Sequence, residues 1–188
     1  MDNTQNHKLV AELMKFTETK LEGAYIVDPE PREDARGLFA RTFCVRDFEA
    51  KGLAGRFAQC SVSVTRECGT IRGLHFQVAP ATEAKLVRCT AGSLYDVIVD
   101  LRPNSKTYLQ HVGVELTASS RRALYVPENF AHGLQTLEGD TEVFYQISEF
   151  FAPDLARGLR FDDPKLGIKW PLPVATIAEK DRNWPLLS

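Results

Sequence analysis

The sequence predicts an all-β protein, an antiparallel barrel or sandwich, on three observations. From Gly23 onward the chain breaks into about nine short β-type runs separated by Gly, Pro, Asn and Asp. These runs do not alternate with the helical segments that a βαβ fold requires. Several of them also place a single polar group on an otherwise apolar face, the pattern of a small barrel interior that holds a ligand.

Taken in order, residues 1–20 carry helically spaced Leu9, Val10, Leu13 and Met14 behind a possible cap at Asn3 or Thr4; an irregular extension fits them equally well. Strands are expected over 24–27, 39–44, 57–64, 85–90, 94–100, 111–116, 123–126, 133–137 and 143–147. A short helix fits 45–51 and stops at Gly52. Asp34-Ala35-Arg36-Gly37 reads locally as a turn. Pro164, Pro171, Pro173 and Pro185 mark an irregular tail lying on the barrel, with one short helix near 176–180.

Composition narrows the function classes. The chain has 188 residues, 23 Lys and Arg against 25 Asp and Glu, and a net charge of −2. That balance argues against a general nucleic-acid binder but leaves room for a local anion pocket. The length suits one domain. No apolar run approaches the roughly 20 residues of a membrane helix, and the first residues do not resemble a secretory signal. Cys44, Cys60, Cys68 and Cys89 form no CxxC pair. The expectation is a cytoplasmic protein with reduced thiols.

Alternation identifies the inward groups. In 57–64, Ala58, Cys60, Val62 and Val64 form an expected buried stripe, while Phe57, Gln59, Ser61 and Ser63 form an uncharged polar face suited to a wet cavity. Lys85 shares a face with Val87 and Cys89, Asp96 and Asp100 with Leu94 and Ile98, and Tyr145 with Val143 and Ile147. His75 lies near Arg72, and Lys85 opens the next strand; two cations beside one imidazole would favour a neutral ring able to take a proton. Strict alternation puts Arg72 and His75 on opposite faces, so Gly73 must bend or bulge for both to reach one pocket. The run Val126-Pro127-Glu128-Asn129-Phe130-Ala131-His132-Gly133 resembles the second motif of cupin barrels. His75-Phe76-Gln77 lacks the HxH of metal cupins, and two imidazoles without a suitably spaced third ligand make a poor metal site. Neither metal nor organic cofactor is expected.

Together these segments resemble the dTDP-4-dehydrorhamnose 3,5-epimerase family from about Met14 to Leu187. The matching runs are DARGLF (34–39), GTIRGLHFQ (69–77), KLVRC (85–89), YDVIVDLR (95–102), VPENFAHG (126–133), FY (144–145), DPKLGIKWP (163–171) and KD (180–181). The resemblance implies a cupin-like jelly-roll barrel with short peripheral helices over 14–188, preceded by an extension over 1–13. It implies epimerisation of a nucleoside-diphosphate-linked 4-keto-6-deoxy sugar at C3, C5 or both. His75 would be the base, Tyr145 the opposite-face acid, Asp181 the group orienting His75 (with Asp96 as second candidate), and Lys85 the cation at the enolate oxygen. Arg72 and Arg36 would hold the diphosphate, with Phe39, Gln59 and His132 lining the site. In the family the segment matching Arg36 crosses from a partner subunit, so the resemblance implies a homodimer with shared active sites. Arg41 stands where many members carry a Glu that accepts from thymine, which keeps a cytidine-linked sugar open; Ser61 replaces an Asn. Arg157 lies near a further familial Glu. A cupin-type nucleotide-sugar ketoisomerase is the alternative reaction; a metal-dependent cupin and a non-catalytic sugar-binding barrel rank below it.

Overall fold

The structure, a computed structural model, describes residues 13–188. Its strands are β1 (Met14–Glu18), β2 (Tyr25–Pro29), β3 (Arg32–Asp34), β4 (Gly37–Phe39), β5 (Gln59–Thr65), β6 (Ile71–Gln77) and β7 (Lys85–Ala91). They continue with β8 (Ser93–Asp100), β9 (His111–Thr117), β10 (Ala123–Val126), β11 (Phe130–Thr136), β12 (Thr141–Ile147) and β13 (Ala156–Gly158). Two short helices, α1 (Val45–Ala50) and α2 (Glu179–Arg182), lie outside the sheets. One sheet has the order β1-β2-β10-β7-β12-β5 and the other β13-β6-β11-β8-β9; β3 and β4 form a separate hairpin. Adjacent strands are antiparallel throughout, as the jelly-roll expectation requires.

Three apolar clusters explain why the central strands β7, β8, β10 and β11 are buried on both faces. Val87, Cys89, Leu124 and Val143 of the six-stranded sheet meet Leu94, Ile98, Leu116 and Leu134 of the five-stranded sheet, filling one end of the barrel. Outside the six-stranded sheet, Leu86, Val27 and Tyr125 pack under Phe48 of α1. Phe43 and Phe16 complete an aromatic cover, their ring centres 4.9 and 5.1 Å from that of Phe48. Outside the five-stranded sheet, Val97, Val99 and Ala131 pack against Leu159 and Leu166 of the Pro-rich tail. Fully burying one such aliphatic side chain contributes about 1.5–3 kcal/mol, which is why these stripes decide the strand faces.

Several expectations need correction. The expected strand over 39–44 ends at Phe39, because the chain turns so that Phe43 can pack on Phe48 before α1 begins. Ala58, Cys60, Val62 and Val64 are exposed rather than buried: β5 is a sheet edge and no outer layer reaches it. The terminal helix starts later than expected, at Glu179. Before it, Ala175 N–H and Thr176 C=O bond to Gly69 and Ile71, keeping this segment extended beside β6. Four strands, β1, β3, β6 and β13, fall outside the expected set. Met14–Glu18 is strand rather than helix, and the rest of the helix expected over 1–20, like the expected extension over 1–13, lies almost wholly outside the described residues.

Candidate active site

A cavity of about 720 Å³ opens between the two sheets, closed on one side by the tail around α2. Its walls include Gln59, Ser61, Ser63, Arg72, His75, Lys85, His132, Tyr145 and Asp181. Gln59, Ser61 and Ser63 of the polar face expected on β5 line it, whereas Phe57 of that face packs against the Phe48 cluster instead.

The β6 bulge assembles one wall. Against β11, His75 pairs with His132 but Arg72 pairs with Leu134, so β6 carries an extra residue between them. Gly73 supplies it at φ +114, a conformation open to glycine. A Cβ there would come within 2.5 Å of Gly133 Cα, so no other residue fits without displacing β11. The slip lets Arg72 and His75 face the same cavity. Arg72 Nε donates to Thr65 Oγ1 at 2.8 Å and has no carboxylate partner among the described residues.

Two histidine–carboxylate pairs stand side by side. His75 Nε2–H donates to Asp181 Oδ1 at 2.6 Å, and Gly73 N–H donates to Asp181 Oδ2 at 3.2 Å. This assignment of the ring proton follows from the carboxylate being acceptor only, and it leaves Nδ1 of a neutral ring as the free basic nitrogen. His75 is 47% exposed, opening into the cavity, whereas Asp181 is buried. Burial alone would raise the Asp181 carboxyl, but the bonds from His75 and Gly73 outweigh it and hold it below its usual value. The neighbour that touches His75 is thus an anion, not the two cations expected to crowd it. Asp96 does not orient His75. It lies fully buried behind the wall and accepts from His132 Nε2–H at 2.6 Å.

The other sheet supplies Tyr145 and Lys85. Burial pushes the Tyr145 phenol up to about 12, with the Asp96 charge adding to the rise. Its hydroxyl is 3.2 Å from Ser63 Oγ, and its ring meets His132 edge-on at 6.1 Å between centres. Lys85 is 8% exposed and paired with Glu83 at 2.9 Å. Sequence reasoning missed Glu83, although its spacing of two from Lys85 was a signal that alternation could have read. It also missed Phe151, whose ring reaches the cavity mouth and whose N–H donates to Gln59 Oε1 at 2.6 Å.

Arg36, Phe39 and Arg41 lie away from this cavity and are exposed. Arg36 is held by Asp34 at the tip of the β3–β4 hairpin. Among the described residues no three His, Cys, Asp or Glu side chains converge as a metal-binding group.

A barrel with this histidine–aspartate pair facing a half-buried tyrosine invites comparison with sugar epimerases. The family described as dTDP-4-dehydrorhamnose 3,5-epimerase matches residues 18–188. The chain belongs to that family. It is 43% identical over 173 residues to a dTDP-4-dehydrorhamnose 3,5-epimerase of Methanothermobacter thermautotrophicus, covering 90% of this chain and 92% of that one. The crystal structure of the Bacillus anthracis dTDP-4-dehydrorhamnose 3,5-epimerase with TDP and PPi bound is 41% identical. It superposes with a TM-score of 0.89 over 93% of this chain and 99% of that one. A Streptomyces niveus dTDP-4-dehydrorhamnose 3-epimerase is 36% identical over 176 residues, covering 93% of this chain and 84% of that one. The fold is accordingly the cupin-like barrel of the family, and the chain is an isomerase of the sugar-epimerase class.

Proposed function

We propose that this enzyme inverts a carbon next to the C4 ketone of a nucleoside-diphosphate-linked 4-keto-6-deoxy sugar. The observation that carries the reading is the placement of His75 and Tyr145 on opposing sheets, one on each side of a single cavity. Epimerisation needs such a pair, because a proton leaves one face and another must arrive on the opposite face. His75 Nδ1 removes the proton and becomes an imidazolium whose Nε2–H remains on Asp181. The electron pair moves onto the ketone oxygen, where Lys85 stabilises the enolate and the ring of His132, fixed by Asp96, lines the pocket. Tyr145 then protonates the carbon from the other side; a phenol held at about 12 is fully protonated at neutral pH.

Arg72, with no acidic partner among the described residues, is suited to the diphosphate. A thymidine diphosphate sugar is the first choice, since the Bacillus relative binds TDP. Arg41 keeps a cytidine-linked sugar as the alternative. Relatives named for action at positions 3 and 5 and at position 3 alone are both close, so the stereocentre is left to experiment.

We further place Arg36 and Phe39 in a partner's site within a homodimer. The β3–β4 hairpin pairs with no other strand, and Phe39 is 69% exposed on it. The exposed Val62 and Val64 of edge strand β5 give a second copy apolar surface to cover. Residues 14–188 are taken as one domain behind an extension over 1–13. No helix among the described residues is long and apolar enough to cross a membrane, and all four cysteines are unpaired, which suits a reducing, cytoplasmic setting.

The test is solvent exchange in heavy water with dTDP- and CDP-linked 4-keto-6-deoxyglucose side by side. Deuterium entering C3, C5 or both of one substrate, with inversion, is the expected result and assigns nucleobase and stereocentre together. No label in either would sink the reading.

A further inference from the structure

Three residues beyond Asp181, the tail brings a further group to the catalytic pair. Trp184 folds back against β13, where its indole Nε1 lies 2.2 Å from the position a Cβ on Gly158 would take. Gly158 is the residue paired with His75 across β13 and β6. The indole N–H is therefore buried beside His75 and Asp181, and no acceptor completes a hydrogen bond to it. Lys180 Nζ stands 5.4 Å from the ring centre in a cation–π contact that helps to hold the indole.

A buried N–H with no acceptor is uncommon in a folded protein. The anion it neighbours is Asp181, whose carboxyl is held lower by the nearness of the indole N–H. Each Asp181 oxygen already accepts one bond, from His75 or from Gly73 N–H, and each keeps a further lone pair. The geometry points to Trp184 as a positioning residue: its N–H closes onto the Asp181 carboxylate in the filled, dry pocket and fixes the angle at which Asp181 holds His75. Gly158 takes part by having no side chain, because any Cβ would push the indole away from the pair.

This inference rests on His75 being the base, so its test includes a signal that does not need turnover. Trp184 is replaced by benzothienylalanine, which keeps the bicyclic shape and loses only the N–H, and separately by Trp184→Phe. Three quantities are read: the rate of solvent exchange at saturating substrate, the affinity for dTDP, and the downfield proton resonance of the His75–Asp181 bond with dTDP bound. Loss of one hydrogen bond to a charged group lowers the exchange rate about tenfold. Affinity for dTDP stays within about twofold, since Trp184 is not among the residues lining the cavity, and the resonance moves. Gly158→Ala gives the same pattern. If the benzothienyl variant keeps the wild-type rate and resonance, Trp184 is packing only and the inference is overturned, whatever Trp184→Phe does. Wild-type enzyme with no exchange on any substrate would overturn the epimerase reading instead, while the resonance still reports on the pair.

Discussion

Burial that pushes the Tyr145 phenol up to about 12 also defines what the residue can do. It is a poor base and a proton donor at any pH near neutrality, so its removal should separate the two halves of the reaction. In Tyr145→Phe, deuterium wash-in on the His75 side is expected to persist at a reduced rate while net inversion falls by about 100-fold or more. Product stereochemistry and label are both read by NMR; equal loss of the two would argue against an opposite-face acid. Much at this scale was legible. Alternation alone placed Lys85, Tyr145 and the Gln59, Ser61, Ser63 face inward, since period 2 is reliable within one strand. Asp181 was legible only through resemblance. Its partner His75 lies 106 residues earlier, and nothing local distinguishes Glu179-Lys180-Asp181 from an ordinary charged helix end.

Single elements hold these groups in register. The loop after β8 is tied to Asp100, which accepts from Arg102, Ser105 and Thr107 side chains while fully buried. Burial would raise its carboxyl, but these donors outweigh it and hold it well below the usual carboxylate range. A carboxyl depressed on folding stabilises at pH values above its unfolded value, near 4, and loses that contribution as pH falls further. Asp100→Asn is therefore expected to lower stability by about 2–4 kcal/mol at pH 7. The gap from wild type should narrow in denaturant melts below about pH 4; a gap that is constant or widens on acidification would contradict this account. At the element scale the need for a bend at Gly73 could be deduced, because Arg72 and His75 had to share a pocket. The burial of Val62 and Val64 was misjudged. Alternation says which residues share a face but not whether another layer covers it, and on edge strand β5 none does.

The arrangement of the whole molecule separates a cavity lined within one chain from residues expected to serve another. Arg36 and Phe39 stand on a hairpin that joins neither sheet, while His75, Tyr145 and Asp181 meet within the barrel. If the hairpin completes a neighbour's site, Arg36→Ala and His75→Ala, each nearly inactive alone, should regain up to about a quarter of wild-type activity when mixed and re-associated. Light scattering gives the mass in the same experiment; a monomer, or no regain in a verified mixed dimer, would contradict shared sites. A single sequence carries no pattern for a contact whose other half is a second copy, so this level was reachable only through resemblance. The most direct test of the central claim is deuterium wash-in from heavy water into the 4-keto sugar, comparing wild-type enzyme with His75→Ala. The account predicts label beside the ketone with wild type and none above background with His75→Ala, although both bind dTDP equally. Exchange by His75→Ala at the wild-type rate would contradict it.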